Sequence, residues 1–174
     1  MKESIIGYSV KKKPLVSYEC GEGSHHVHIY GGIHGDEPES VDVLERLIKF
    51  LRKYPKFLKL SKHYIIVPKL NPDGLEAQTR VNASKVDLNR NFPSRYWSAH
   101  YELEKNYPGP KSASEPEVEA IVKLIEKYPP GVILSVHSWI PQVNFDGPAE
   151  DLARVLSENN GYPVTSHIGY ATPG

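Results

Sequence analysis

The sequence is poor in cysteine, in net charge and in long apolar runs, and each shortage excludes a class of protein. Its 174 residues include one cysteine, Cys20, so a disulfide cannot form within the chain. The 21 basic residues are balanced by 21 acidic ones, and this neutral total favours neither nucleic acid nor an anionic membrane as a partner. No stretch approaches the roughly 18 apolar residues of a membrane-spanning helix, and no signal-peptide core follows Met1. We therefore expect a cytoplasmic protein.

What is present is the pattern of a globular α/β domain. Hydrophobic residues make up 39% of the sequence and charged residues 24%, proportions typical of a folded chain. Segments rich in β-branched residues predict strands at 15–20, 26–30, 64–68, 132–137 and 164–168. Helical periodicity predicts helices at 38–52, from 114 onwards and at 149–159. This alternation predicts one three-layer domain over residues 1–174, with a mostly parallel or mixed sheet covered by helices on both faces.

Three local patterns add detail to this fold. Residues 132–136 are nearly all apolar, which predicts a central strand covered on both faces. Ser114 and Glu117 have the spacing of a capping box, and Pro116 suits the first turn of the helix that follows. The polar stretch 71–110 is long for a loop in a compact domain, and such loops are usually functional.

His34 and Glu37 form the first candidate metal-binding pair. They lie three residues apart at a predicted turn between a strand and a helix, where both side chains can point at one ion. Zinc accepts imidazole nitrogen and carboxylate oxygen, and a catalytic zinc site needs three protein ligands. Taken alone, the pair also fits a surface turn with a carboxylate at a helix start.

His137 is the candidate for the third ligand. It ends the most apolar predicted strand, and sites in α/β sheets gather at the carboxyl ends of strands. The alternative is a core histidine with its hydrogen bonds satisfied. His25, His26 and His28 fall on or just before another predicted strand, and we interpret them as ordinary strand residues.

Asn89 and Arg90 form a candidate anion receptor in the polar stretch. A guanidinium group can bind a carboxylate through two hydrogen bonds, and the neighbouring amide adds a third. Arg80 lies earlier in the same stretch, where a second guanidinium could stabilise an oxyanion. The alternative is that these arginines pair with surface acids.

Six short motifs carry a resemblance to a known family. In chain order they are His34-Gly35-Asp36-Glu37, Asn71-Pro72-Asp73-Gly74, Thr79-Arg80, Asp87-Leu88-Asn89-Arg90-Asn91-Phe92-Pro93, Ser114-Glu115-Pro116-Glu117 and Ser135-Val136-His137. The ordered set resembles the zinc carboxypeptidases. It is most similar to their bacterial branch of murein tripeptide amidases and peptidoglycan-peptide carboxypeptidases.

The resemblance implies a role for each matching residue. One zinc ion would be bound by His34, Glu37 and His137, and Asp87 would orient a ligand histidine. On the substrate side, Arg80 would hold the oxyanion of the scissile carbonyl. Three residues would contact the substrate, two of them through its terminal carboxylate: Asn89, Arg90 and, by its place after Gly169, Tyr170.

The general base of the family has no counterpart in this sequence. In the family it is a glutamate on a strand beyond a Gly-Tyr-x-Thr-Pro-Gly segment, which here is residues 169–174. The acids that follow His137 lie instead in a predicted turn or helix: Asp146, Glu150, Asp151 and Glu158. We therefore expect a C-terminally shortened member of the family, with an unpaired sheet edge that favours self-association.

The resemblance implies a zinc metallocarboxypeptidase. Its substrate would be a peptide with a free carboxylate beside the scissile peptide or amide bond, with murein peptides as the candidate class. Two alternatives remain open. One is a deacylase of the aspartoacylase and succinylglutamate desuccinylase type, and the other is a non-catalytic module that binds zinc and carboxylates.

Overall fold

A five-stranded mixed sheet forms the centre of the protein. The computed structural model describes residues 1–59 and 61–168. The strands are β1 (Lys2–Tyr8), β2 (Pro14–Cys20), β3 (His25–Tyr30), β4 (Lys62–Val67) and β5 (Pro130–Ser135), in the order β1-β2-β4-β3-β5. β3 runs parallel to β4 and β5, whereas β2 is antiparallel to β1 and β4. Two short strands, β6 (Val143–Asn144) and β7 (Val164–Thr165), pair separately.

Helices cover both faces of this sheet, as the sequence predicts. They are α1 (Pro38–Lys53), α2 (Pro72–Ala77), α3 (Leu88–Asn91), α4 (Pro116–Lys127) and α5 (Glu150–Asn160). Leu44 and Ile48 of α1 pack against Ile66 on one face of the sheet. On the other face, Ile121 of α4 packs against Ile65, the residue before Ile66. Because successive strand residues point to opposite faces, the two clusters lie on either side of β4.

In the part of the chain that the structure describes, β5 is an edge strand, and the predicted central position is wrong there. Among the described residues β5 pairs with β3 alone, and Ile133 is 48% exposed. An apolar run favours a strand that could be covered on both faces. It does not show which strands pair with that strand, so the pattern cannot predict the position of the strand in the sheet.

The predicted capping box is also wrong. α4 begins after Glu115, and no side chain caps it. Ser114 donates instead to the Glu115 carboxylate at 2.8 Å, and the buried Glu117 accepts the backbone N–H of Val10 at 3.1 Å. Ser114 thus bonds to its immediate neighbour and Glu117 to a residue distant in sequence, and neither makes the predicted capping bond. Pro116 does occupy the first turn of α4, as predicted.

Three further features concern the termini and the polar stretch. β1 is a strand that the sequence analysis did not predict. The polar stretch contains α2 and α3, so it is not an irregular loop throughout. The predicted third helix is α5, which ends at Gly161 in a left-handed conformation with φ of 74°.

In the part of the chain that the structure describes, no helix is long and apolar enough to cross a membrane.

Candidate metal centre and substrate cleft

Sheet topology brings the three predicted metal ligands together. β3 and β5 are parallel neighbours, so their carboxyl ends share one edge of the sheet. His34 and Glu37 lie in the loop that leaves β3, and His137 lies two residues beyond β5. Gly35 is required where this loop crosses α2, because a Cβ atom there would lie 2.0 Å from the carbonyl carbon of Gly74.

His34, Glu37 and His137 form a compact group of nitrogen and oxygen donors. Each offers one ligand atom, and these atoms lie within 4.8 Å of one another. Nδ1 of His34 is 2.9 Å from Glu37 Oε1, and Nδ1 of His137 is 2.8 Å from Glu37 Oε2. Two imidazoles and a carboxylate, partly open on the His137 side, suit a catalytic zinc site.

Asp87 connects the metal centre to the polar stretch. Its fully buried carboxylate accepts from Nε2 of His34 at 3.2 Å through Oδ1. The other oxygen, Oδ2, accepts from Nε and Nη2 of Arg80 at 3.0 and 2.8 Å. With Nε2 protonated and facing Asp87, the Nδ1 lone pair of His34 is directed to the Glu37 side. The sequence analysis predicts an orienting role for Asp87, and this contact with His34 is compatible with that prediction.

Arg80 lies beside the metal ligands rather than on the outer surface. Its Nη1 is 3.2 Å from Nδ1 of His34, while the rest of the guanidinium binds Asp87. Asn71 supports this position, since its side-chain amide donates to the carbonyl oxygens of Ile33 and Arg80 at 3.2 and 3.4 Å. The predicted oxyanion donor is therefore part of the candidate site.

The charges of the group follow from these contacts. Burial would raise the pKa of Glu37, but hydrogen bonds with His137 and His34 hold that pKa well below its usual range. Burial would likewise raise the pKa of Asp87, and its contacts with His34 and Arg80 lower it instead. Burial lowers the pKa of His34, yet hydrogen bonds to Asp87 and Glu37 raise it overall. Both carboxylates are therefore ionised at neutral pH, the form that binds a metal ion or orients an imidazole.

Two serines near His137 contact the candidate ligands, and the sequence analysis assigns neither of them a role. Ser135 Oγ lies 3.2 Å from Nε2 of His137, the nitrogen that faces away from Glu37. The backbone N–H of Ser138 donates to Glu37 Oε2 at 3.3 Å, and its hydroxyl donates to Glu39 at 2.8 Å. Both serines are close to His137 in the sequence, and this is the signal that could have identified them. Serine is too common beside strand ends for that signal to be specific.

α3 carries the two predicted carboxylate-binding residues. Asp87 caps this helix by accepting the N–H of Asn89 at 3.0 Å, so Asn89 and Arg90 closely follow the residue that contacts His34. Both are half-buried. At the other end of α3, the amide of Asn91 donates to the carbonyl oxygen of Pro108 at 2.7 Å. Tyr170, the remaining predicted substrate contact, lies outside the described residues.

A buried polar network holds this part of the chain in place. The Asn82 amide donates to Glu115 and Glu117 at 2.8 and 3.3 Å, and its oxygen accepts the N–H of Val86 at 3.0 Å. Glu115 in turn donates its N–H to the side chain of Asn91 at 3.2 Å. The network therefore joins the start of α4 to the residues on both sides of Asp87 and α3.

Comparison with known proteins agrees with the geometry of the site. The sequence matches the zinc carboxypeptidase family over residues 1–148. Murein peptide amidase A of Vibrio campbellii is 35% identical over 181 residues, which cover 97% of this chain and 70% of the relative. The crystal structure of murein-tripeptide amidase from Escherichia coli O157 matches with a TM-score of 0.76 and 27% identity, over 99% of this chain and 75% of that one.

A more distant match concerns the alternative family. An aspartoacylase family protein from Mesorhizobium loti matches with a TM-score of 0.61 and 23% identity, over 92% of this chain and 49% of that one. At this identity the likeness shows a shared fold alone. Since the zinc carboxypeptidase match covers most of the sequence, the chain belongs to the zinc carboxypeptidase family.

Proposed function

We propose that this protein is a zinc-dependent carboxypeptidase that hydrolyses a peptide or amide bond next to a free carboxylate. The observation that carries the proposal is the position of Arg80 and α3. Arg80 contacts the candidate ligand His34, and α3 with Asn89 and Arg90 begins at Asp87, which contacts both. The candidate ligand His34, Arg80 and the start of the helix that carries Arg90 are therefore all in contact with Asp87.

The metal would be held by Nδ1 of His34, the Glu37 carboxylate and Nδ1 of His137. When bound, zinc supplies a Lewis acid that polarises a carbonyl group and lowers the pKa of water to about 7. Asp87 and Ser135 contact the far nitrogens of the two imidazoles and so fix the ring orientations.

The remaining residues act on the substrate. The Arg80 guanidinium, whose Nη1 is 3.2 Å from Nδ1 of His34, would donate to the oxyanion that develops on the scissile carbonyl. Asn89 and Arg90 would bind the terminal carboxylate through charge-assisted hydrogen bonds. Binding at both points would fix the scissile bond relative to the metal, which lowers the entropic part of the barrier.

Murein peptides are the substrate class that we propose. Relatives named murein peptide amidase align with nearly the whole chain, and a free carboxylate beside the cleaved bond is what Arg90 would recognise. A γ-D-glutamyl-diaminopimelate peptide is therefore the first substrate to test. Asn89 and Arg90 would bind the terminal carboxylate of this peptide without contacting the zinc ion.

Hydrolysis of three substrates tests this assignment: the peptide, its C-terminal amide, and an N-acyl amino acid. We expect zinc-dependent cleavage of the free-carboxylate peptide and at least about 10-fold slower cleavage of its amide, since the charge-assisted bond to Arg90 is lost. Faster cleavage of the N-acyl amino acid would favour the deacylase alternative. Zinc binding without turnover of any of the three would favour the non-catalytic module.

Arg90→Ala provides the residue-level test. The variant should lower kcat/KM for the free-carboxylate peptide by about 100-fold and leave the slow cleavage of the amide nearly unchanged. Arg95→Ala is the matched control, because Arg95 is an exposed arginine five positions further along that packs over Tyr96. Equal losses on both substrates would show that Arg90 supports the fold and does not read the carboxylate.

The free edge of β5 supports a proposal about self-association. Within the described residues this edge has no strand partner, and residues 129–136 contain no charged side chain. Uncharged, apolar edge strands can pair with a second copy of the same strand. A second copy of the chain is therefore the partner that we propose for β5.

A further inference from the structure

Three aromatic side chains form an exposed cluster at the end of α1. Phe50, Tyr54 and Phe57 are 42%, 38% and 56% exposed. The ring centroid of Phe50 lies 5.1 Å from those of both Tyr54 and Phe57. Large apolar side chains that touch one another in solvent are uncommon on soluble proteins and often mark an interaction surface.

The cluster lies in a segment whose charged residues are all basic. Residues 49–62 contain six basic residues and no acidic one: Lys49, Arg52, Lys53, Lys56, Lys59 and Lys62. Five of them are exposed, all except the half-buried Lys62. Arg52 has an acidic neighbour, Glu3, at 3.3 Å. The neutral total charge of the chain thus conceals a strongly basic segment. We call the described residues of this segment, 49–59 and 61–62, the basic aromatic patch.

This patch lies at the opposite end of the sheet from the metal centre. α1 begins immediately after Glu37 and spans 16 residues, or about 24 Å. Its C-terminal end and the residues after it lead to the amino end of β4, which is parallel to β3. The metal ligands follow the carboxyl ends of β3 and β5. A partner bound at the patch would therefore leave the candidate metal centre accessible.

We propose that the basic aromatic patch binds the surface of a bilayer that contains anionic phospholipids. The aromatic rings would enter the interface between headgroups and acyl chains, where Tyr and Phe are favoured. The surrounding lysines would meet the lipid phosphates, whose negative charge attracts basic side chains close to the membrane surface. This revises the expectation drawn from net charge alone, since a membrane responds to local charge.

Ring geometry favours a bilayer over single-stranded nucleic acid. Bases stack on aromatic faces that are open to them. Here the rings contact each other, and the Lys53 and Lys56 ammonium groups lie 5.2 and 5.6 Å from the ring centroids of Tyr54 and Phe57. Apolar rings and cationic groups therefore lie side by side on the surface, as an interfacial anchor requires.

Co-sedimentation with lipid vesicles tests the proposal and does not depend on catalytic activity. The probes are vesicles of phosphatidylcholine alone and vesicles in which about a third of the lipid is phosphatidylglycerol. We expect binding to the anionic vesicles at low salt, weak binding to the neutral ones, and release as salt rises. No binding to anionic vesicles, or equal binding to both kinds, would overturn the proposal.

Two variants and a matched control locate the surface. K53E/K56E should weaken vesicle binding more than about 10-fold, and F57S, which keeps every charge, should weaken it by a smaller factor. K11E/K12E makes the same charge change at exposed lysines of the turn between β1 and β2, and should have little effect. Thermal unfolding of each variant checks that the fold is kept.

Outcomes that contradict the proposal are equally specific. If K11E/K12E lowers vesicle binding as much as K53E/K56E, the attraction is general and the patch is not a docking surface. If poly-uridine binds in a K53E/K56E-sensitive manner and anionic vesicles do not bind, the partner is nucleic acid. If F57S binds vesicles like the parent protein, the rings play no part and the aromatic component is wrong.

Discussion

At the residue scale, His34 shows how one side chain depends on contacts from three segments. Its Nδ1 faces Glu37 and Arg80, and its Nε2 faces Asp87. The sequence predicts that a histidine and a carboxylate three residues apart can share an ion, and the structure places them so. The Asp87 contact needs two segments 53 residues apart to meet, which no local pattern shows. The role of these residues as zinc ligands stays a prediction.

Asp87→Asn should weaken zinc binding by about 10- to 100-fold, because the amide accepts the Nε2 proton of His34 less strongly and no longer neutralises Arg80. Competition with a coloured chelator measures the affinity. Asp36→Asn is the control, since Asp36 is exposed in the same loop as His34. Unchanged zinc affinity in Asp87→Asn would refute the orienting role.

His28 gives a prediction for the pH dependence of stability. It is fully buried, with Nδ1 2.5 Å from the Tyr30 hydroxyl, and burial lowers its pKa from 6.5 to about 4 despite an opposing contact with the Tyr128 backbone. A lowered folded-state pKa favours folding above pH 6.5, and this contribution is lost as the pH falls toward 4. The loss amounts to about 3 kcal/mol.

Urea unfolding at several pH values measures this effect. His28→Gln removes the titrating group, so its unfolding free energy should fall less between pH 6.5 and 4 than that of the parent. His100→Gln, at an exposed histidine, should keep the parental slope. Equal slopes in all three proteins would mean that His28 does not titrate differently on folding.

At the element scale, α4 shows where local sequence signals stop. The Ser114–Glu117 spacing predicts a local cap, but Glu117 bonds to Val10 and Asn82 instead. Burial raises the pKa of Glu117, although its hydrogen bonds oppose the shift. A capping pattern predicts the hydrogen bonds that would form at the start of an isolated helical peptide. It cannot predict that the backbone N–H of Val10, in a turn 107 residues earlier, donates to Glu117 in the folded chain.

Glu117→Ala should lower the unfolding free energy by about 2–4 kcal/mol, since it leaves the Val10 N–H without its acceptor and removes one of the two carboxylates that accept from the Asn82 amide. Chemical denaturation gives the value. Glu119→Ala on the same helix is the control, because it removes only an exposed pair with Lys123 and should cost less than about 1 kcal/mol. Similar losses in both variants would argue against the network.

At the scale of the whole molecule, the alternation of strands and helices predicts the layers but not the order of the strands. Helical and strand periodicities follow from which faces are buried, so three layers can be read from the sequence. The placement of β4 between β2 and β3, and of β5 at the edge, depends on contacts between distant segments. The family motifs predict the site better than the fold rules do, because they record residues that meet only in three dimensions.

Self-association through β5 can be tested by sedimentation velocity over a range of protein concentrations. We expect reversible association that Ile133→Lys weakens, because a charge at an exposed edge position opposes strand pairing. Val43→Lys, at a residue of α1 that is 52% exposed, is the control. A monomer at every concentration, or equal effects of both variants, would exclude this interface.

The most direct test of the central claim is a zinc titration of the metal-free protein, followed by cleavage of the γ-D-glutamyl-diaminopimelate peptide. We predict that the rate rises to one equivalent of zinc and then stays constant, because His34, Glu37 and His137 form one donor group. In His137→Ala the rise should be absent. Cleavage that persists without zinc, or that His137→Ala retains, would contradict the claim that this group is the catalytic metal centre.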